Sequence, residues 1–505
     1  MSTTAVHAQP MRRAPVLAAV GIAVGTLAMR IPSLTEPAWY YDDGVFTTVA
    51  WAMSKGVPLY SGVYDLQPPG IYWLYRLLLG LGAAEHHYIV QLAAATAVAA
   101  IALLTFEVAR RGLPLRLAVL AGALTGFALS LPTLDGDLLN VEVAALPFFI
   151  AGLLVAMSGR LSAIFVSGAL LGTAIAIRPS FAVDGLALLV PLLGMGPRLA
   201  RLMVAGAGLA AALVLAIAVL WLQGSLPAYL AIVVPSDHIY ALRANGGSFT
   251  PAFVRVAVLG MAALVGLLRA RSPLGRLIAV WLPASLAGAS LTPLEFTHFA
   301  HGAIPALAIG IAWSAARFRP RWYIPLAAAV ALVVCVELVL ILPAQQTALM
   351  QSRPAPRPLL HNIGFEKLPG YYAKWFAFAV GAESHTQYDG YFADATRQDA
   401  EVALLRRMAP SSGAHLMVLG SRSWLYVESG LLPATPYVAT CSVSCIVASE
   451  PDDIRRSLDS GCADIVVAVG QLEAWRSDLD VGGYVEVAGA PWPTFQRSRV
   501  PTTCG

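Results

Sequence analysis

The sequence is poor in charge. Of 505 residues only 12% are Asp, Glu, Lys or Arg, while 58% are hydrophobic. A soluble domain ordinarily carries about 25% charged residues. A water-facing surface of this size cannot be built from so few, which excludes a soluble enzyme and a disordered chain. Lysine is nearly absent, at three residues, and the net charge is only +4. That leaves no field for a polyanion and excludes a nucleic-acid partner of the usual basic kind. Cysteine is scarce as well: of five, only Cys335 precedes residue 343. What the chain has in plenty is long apolar runs, so it reads as an α-helical polytopic membrane protein.

Charge divides the chain in two. Residues 1–342 hold 20 Lys and Arg and 13 Asp and Glu, whereas residues 343–505 hold 13 and 16. The second part is close to soluble composition and long enough to bury its own core. Pro343 and the stiff Arg353-Pro-Ala-Pro-Arg-Pro358 segment mark the boundary. The expected organisation is thus a transmembrane domain, 1–342, and a C-terminal soluble α/β domain, 343–505.

A bilayer core takes about 20 apolar residues as helix. On that measure eleven spans are expected, at 14–31, 87–108, 115–133, 141–157, 161–178, 182–196, 202–223, 252–268, 277–291, 302–316 and 323–342. Arg12-Arg13 before the first run fits a retained span rather than a cleaved signal. With the N-terminus cytoplasmic, the inner segments collect 14 of the 20 basic residues, as the positive-inside rule requires. An odd span count then places the tail outside. Cys441, Cys445, Cys462 and Cys504 all lie in that tail, where an oxidising space favours one or two disulfides over a zinc site. The Ala- and Arg-rich, Lys-poor composition suggests a bacterial gene, so the expected place is the bacterial plasma membrane.

Acidic residues follow the opposite rule. Ten of the 13 before the tail fall on or near the outer face: Glu36, Asp42, Asp43, Asp65, Glu85, Asp135, Asp137, Glu142, Asp237 and Glu295. Carboxylates at span ends are costly enough to imply a purpose. The longest outer connection, residues 32–86, carries Trp39-Tyr40-Tyr41 directly before Asp42-Asp43. Val45 to Met53 and Ile71 to Leu81 then read as two short amphipathic helices lying in the membrane interface.

At these residues the sequence resembles the GT-C class of membrane glycosyltransferases. It is most similar to glycosyltransferase family 39, which includes protein O-mannosyltransferases and the aminoarabinose transferases of lipid A. Tyr41-Asp-Asp-Gly-Val-Phe46 stands where that family has an Asp-Glu pair, and Gly56-Val-Pro-Leu-Tyr60 resembles its turn. Tyr64-Asp-Leu-Gln-Pro-Pro-Gly70 stands where the family usually has Lys-Pro-Pro, so Gln67 replaces a cation. Asn140-Val-Glu142, Arg178-Pro179 and Thr297-His298-Phe299 resemble three further family motifs in order.

The resemblance implies a polyprenyl-phosphate sugar donor, a cell-envelope acceptor and an inverting transfer. It assigns Asp42 as the base for the acceptor and Asp43 as its partner, orienting the base or binding the sugar. On residues alone, the pair also suits the cap of the following helix. Phosphate needs cations or donors. Arg178 leads that set, as a lone Arg at a span end that pairs with the phosphate or with Glu142 or Asp184; His298, His301 and Arg243 complete it. Glu142, Asn140, Tyr41, Tyr64 and Gln67 are the candidates for sugar or acceptor. Asn140 and Glu142 read equally well as a helix cap, and the two histidines as interfacial. No cofactor is assigned, and a divalent cation at Glu142 stays open. Mannose and arabinose are the sugars the resemblance favours. The competing class is a transporter or lipid flippase, which predicts charges buried mid-span and a broken-helix repeat; neither is evident.

In the tail, His415–Gly420 and Asp464–Gly470 read as buried strands, with amphipathic helices over 398–408 and 452–460.

Overall fold

A computed structural model of the chain describes residues 13–194, 196–244, 250–291, 297–317, 367–392, 394–409, 413–440, 447, 449–470 and 472–498. Ten of the eleven expected spans are helical there. They are α1 (Arg13–Met29), α4 (Tyr88–Arg110), α5 (Leu115–Ala128), α6 (Val141–Ala156), α7 (Leu161–Ile177), α8 (Phe181–Leu193), α9 (Arg198–Leu222), α11 (Thr250–Arg269), α12 (Pro273–Leu291) and α13 (Ala303–Arg317). The eleventh, 323–342, lies outside the described residues. Three stretches, Arg13–Thr35, Tyr88–Arg110 and Arg198–Leu222, are long and apolar enough to cross a membrane by length and composition. Seven others are apolar helices of 10–17 residues.

Their shortness has a local cause at one end of the bundle, where buried polar loops replace the last turns of helix. Between α5 and α6, residues 130–140 are all buried although they include Asp135, Asp137 and Asn140. Elsewhere the helices meet through small residues. A Cβ at Gly168 of α7 would fall 1.9 Å from the Ala205 carbonyl oxygen, and one at Gly208 of α9 would fall 2.0 Å from that of Phe165. Only hydrogen at those positions allows the two backbones to approach so closely.

The first loop departs from its expected form. α2 (Tyr41–Ser54) and α3 (Pro69–Gly80) are both present, and Pro69 opens α3 at a position that needs no N–H. However, α2 is not an amphipathic surface helix: every residue from Asp43 to Met53 is buried. α3 packs on one side, and part of the C-terminal unit covers the other. An all-round apolar helix of this kind belongs inside a protein.

The C-terminal residues form a five-stranded sheet in the order β2-β1-β3-β5-β4. β1 (His415–Leu419) is parallel to β2 (Leu432–Pro433) and to β3 (Ile465–Ala468); β5 (Thr494–Arg497) runs antiparallel to β3 and to β4 (Tyr484–Glu486). β3 is buried at all four positions, which explains its unbroken apolar run. The sheet is accompanied by α14 (Leu368–Ala379), α15 (Ala395–Met408), α16 (Trp424–Ser429), α17 (Glu450–Asp459) and α18 (Leu472–Val481). Both expected strands and both expected helices of this unit are present. Cys462 is disulfide-bonded; Cys441, Cys445 and Cys504 lie outside the described residues.

Candidate active site at one end of the bundle

Five separate stretches of sequence meet at the end of the bundle where α1 stops. Arg30, leaving α1, donates to the carbonyl oxygens of Gly136 and Asp137, the second at 2.8 Å. That ties the first loop to the α5–α6 loop. Gly136 is required by close approach, since a Cβ there would meet the Leu129 carbonyl oxygen at 2.2 Å. Asp135, just before it, has φ +54°, a left-handed conformation that Asp tolerates better than most residues. The turn aims its carboxylate at His298, whose Nδ1 lies 3.1 Å from Oδ2. His298 comes from the turn Thr297–Ala300 ahead of α13.

Glu142 and Arg178 complete the cluster. Glu142 opens α6, Arg178 caps α7, and their side chains pair at 3.1 Å (Oε1 to Nε) while almost wholly buried. The guanidinium also lies over the Phe299 ring, 4.7 Å from its centre. Its terminal amino groups make no hydrogen bond among the described residues. The partner is therefore one of the two carboxylates expected, and the fork still has donors to offer.

The two adjacent aspartates of α2 have opposite surroundings. Asp43 is fully buried, and its Oδ1 accepts the Tyr75 hydroxyl at 2.6 Å while Oδ2 stands 3.9 Å from His87 Nε2. The same Tyr75 hydroxyl reaches the Leu139 carbonyl oxygen at 3.1 Å. This carboxylate faces the core, with no surface left to a sugar. Asp42 is half-buried, and no group among the described residues hydrogen-bonds its carboxylate. Burial pushes its carboxyl up to about 7; the His298 charge opposes this, while Asp65, Asp43 and Asp135 reinforce it. His298 is itself lowered by burial, but Glu142 and Asp135 outweigh that and leave it raised. A carboxylate that titrates near neutrality beside a histidine whose charged form is favoured suits proton transfer.

Other expected site residues fall elsewhere. His301 is fully buried, and its Nε2 lies 2.6 Å from the Leu134 carbonyl oxygen. Burial and the nearby His298 lower it to about 3, so it brings no positive charge to a phosphate. Asn140 spends its amide on structure: Oδ1 caps α6 at the Val143 N–H (2.9 Å), and Nδ2 donates to the Asp135 carbonyl (3.2 Å). With one bond at each end and almost no exposure, its amide is held in the fold. Tyr64 packs edge-on against Tyr437, ring centres 5.8 Å apart, at the seam with the C-terminal unit. Gln67 receives the Tyr60 hydroxyl on its backbone carbonyl at 3.0 Å, and its side chain is half-buried. Tyr41 is half-buried at the start of α2, beside Asp42. Arg243 sits in α10 (Val234–Ala244), and its side chain lies outside the described residues. Among the described residues no group of three His, Cys, Asp or Glu is arranged to hold a metal ion.

No protein-family profile and no curated protein matches this sequence. Solved structures do match it in fold. ArnT from Cupriavidus metallidurans, bound to undecaprenyl phosphate, aligns with a TM-score of 0.59 at 14% identity, over 95% of this chain and 97% of that one. The fold is that of the GT-C membrane glycosyltransferases. Two structures of the Archaeoglobus fulgidus oligosaccharyltransferase align less well. One, tethered to an acceptor peptide, gives a TM-score of 0.46 at 13% identity over 97% of this chain and 75% of that one. The other, with Zn and sulfate, gives 0.41 at 12% over 95% and 72%.

Within this GT-C fold, sequence reasoning missed several of the partners that hold the site. Asp135 stands among the outer acids, but nothing in the sequence joins it to His298, gives Arg30 a role, or makes Tyr75 or His87 a partner of Asp43. The signal for Asp135 was present in Asp135-Gly-Asp137, an acidic turn between two apolar runs.

Proposed function

We propose that this chain is an inverting glycosyltransferase that moves a sugar from a polyprenyl-phosphate donor to a hydroxyl acceptor of the cell envelope. The observation that carries the reading is the carboxylate of Asp42. It is half-buried, has no hydrogen bond among the described residues, titrates near neutrality, and stands at the one end of the bundle where Arg178, Glu142, Asp135 and His298 converge.

The chemistry follows from that arrangement. Asp42 takes the proton of the acceptor hydroxyl as its oxygen attacks the anomeric carbon. The bond from that carbon to the phosphate oxygen breaks on the opposite face, and its electron pair leaves with the lipid phosphate. Inversion follows from that single displacement. The open amino groups of Arg178 and the imidazolium of His298 offset the charge growing on the departing phosphate. Asp135 fixes the His298 ring, and Glu142 holds Arg178 in place. Tyr41, and Gln67 in the turn before α3, flank the entrance used by sugar or acceptor. The site lies on the outer face of a bacterial plasma membrane, the N-terminus is cytoplasmic, and the C-terminal domain is extracytoplasmic. The ArnT structure supports this reading, because that protein is bound to undecaprenyl phosphate.

The test is transfer or donor hydrolysis by purified protein in lipid, with a panel of undecaprenyl-phosphate sugars including mannose and aminoarabinose. One donor should turn over, and Asp42→Asn should stop turnover while still binding undecaprenyl phosphate. A folded protein that neither binds nor consumes any donor would sink the reading and leave lipid transport as the next assay.

A further inference from the structure

The segment that leads into α2 has a hydrogen-bonding problem that it does not solve itself. Trp39 and Tyr40 are buried, and the carbonyls of Ala38 and Trp39 precede the helix, so no helical N–H reaches them. Buried carbonyls without donors are costly. Three side chains of the C-terminal unit supply the donors, one to each consecutive carbonyl. Gln398 Nε2 of α15 donates to Ala38 O at 2.7 Å, Arg422 Nη1 to Trp39 O at 3.1 Å, and Trp424 Nε1 of α16 to Tyr40 O at 2.9 Å. Each donor is itself fixed. Gln398 also donates to Glu428 at 2.9 Å, Arg422 to Asp394 at 2.9 Å, and the Trp424 ring lies edge-on to His87.

The third contact reaches furthest. Tyr40 O accepts both the Trp424 indole and the Gly44 N–H that starts α2. Gly44 lies against the same ring, where a Cβ would stand 2.7 Å from Cδ1. One turn further on, the Thr48 hydroxyl donates to Ser423 O at 2.8 Å. His87, beneath Trp424, is the residue that faces Asp43. The first turn of α2, with Asp42 on it, is thus gripped from the C-terminal unit on its backbone and through His87.

We propose that Gln398, Arg422 and Trp424 are positioning residues: through the carbonyls of residues 38–40 they set the first turn of α2 and hence the place of the Asp42 carboxylate. This rests on the proposed role of Asp42 as base. It makes the C-terminal unit part of the reaction machinery rather than an appendage that recognises acceptor.

The test uses the full chain in nanodiscs with Trp424→Phe, which keeps the ring and loses the N–H, and Gln398→Met, which keeps length and loses the donor. Backbone hydrogen exchange over residues 38–54 should speed up about tenfold in the double variant, because the first turn opens without its clamp. Turnover per folded enzyme should fall about tenfold, since a small misplacement of a reacting group has that scale of effect. Donor KM and undecaprenyl-phosphate binding should stay within about twofold, as the donor contacts are untouched. Arg476→Ala, on the surface of the same unit, should change none of these. Unchanged exchange in the folded double variant overturns the proposal. So does a loss of turnover that only tracks a loss of folded protein, with kcat per folded enzyme and its pH profile intact. If exchange rises yet wild type consumes no donor, the clamp stands and the transferase reading is what fails.

Discussion

The two parts of the chain treat charge in opposite ways. Residues 1–342 carry few charges, yet Arg30, Glu36, Asp43, Asp135, Asp137, Glu142, Arg178 and His298, at the end of the bundle, are all buried. Residues 343–505 carry more charges per residue and leave most pairs on the surface, as with Arg455–Asp452 and Arg476–Glu486. Among the described residues the cation that the C-terminal unit buries is Arg422, which is turned towards the first loop. A charge in water costs nothing to keep, whereas a buried one must be paired or held by hydrogen bonds. Charge that is retained at such a cost marks the working end of the molecule; charge at the surface marks solubility.

The sharpest way to break that comparison lies within one dipeptide. Asp42→Asn should lower turnover by ~10³-fold, the scale of lost general-base catalysis. It should not weaken the fold, because the carboxylate has no hydrogen bond among the described residues to lose. Its raised pKa gives the sign. The ionised form is disfavoured in the folded state, so wild type loses stability as pH rises from the usual carboxylate value towards about 7. Asp42→Asn should therefore melt above wild type at pH 8 and converge with it below pH 4. Asp43→Ala should do the reverse, destabilising by about 1–3 kcal/mol because the buried Tyr75 hydroxyl loses its acceptor. Thermal melts beside turnover assays separate the two.

Much of this was legible in sequence, for reasons that can be named. Apolar runs and their order gave the helices, because burial in lipid or core leaves a one-dimensional trace. The acids at 42, 43, 135, 137 and 142 stood out for the same reason: they interrupt that trace. Of their partners, only Arg178 for Glu142 did. The bond from Asp135 to His298 joins positions 163 apart, and the sequence holds no record of which acid meets which histidine. His301 and Asn140 share a stretch with true neighbours of the site, but one bonds the Leu134 carbonyl and the other caps α6. The burial of α2 was invisible because its cover comes from residues nearly 400 positions away.

The second prediction concerns the buried ion pair. Glu142→Ala leaves Arg178 as an unpaired charge next to Phe299, and removing one partner of such a pair costs about 3–5 kcal/mol. Glu142→Gln should cost less, since an amide oxygen can still face the guanidinium. Arg178→Ala should lower the melt by a similar amount, because Glu142 is then left unpaired, and should in addition weaken undecaprenyl-phosphate binding. If Arg178→Ala melted early yet bound the lipid phosphate normally, the pair would be a structural device and the phosphate site would lie elsewhere.

A smaller effect follows from pH alone. With Asp42 near 7, kcat/KM should fall about tenfold per pH unit well below 7, as the base takes up its proton. In the opposite sense, burial lowers His298 but Glu142 and Asp135 leave it raised, which favours the charged ring, and its deprotonation at higher pH takes that charge from the phosphate site. A bell-shaped profile is the expected outcome, and the Asp135→Asn variant should draw in its alkaline limb by weakening the hold on the imidazolium.

The smallest effect is the control that completes the comparison. Arg455 and Asp452 lie three apart on α17, pair at 3.3 Å, and are half or more exposed on both sides. In water their attraction is screened, and ordering two mobile side chains offsets most of it. Arg455→Ala should therefore shift stability by less than about 0.5 kcal/mol, and 0.5 M salt should change wild type and variant alike. The same salt should leave the Glu142–Arg178 pair almost untouched, because no counter-ion enters a site so deeply buried. A large salt-sensitive loss at Arg455 would mean that the C-terminal unit also uses surface charge for a purpose, and the contrast between the two parts would fail there first.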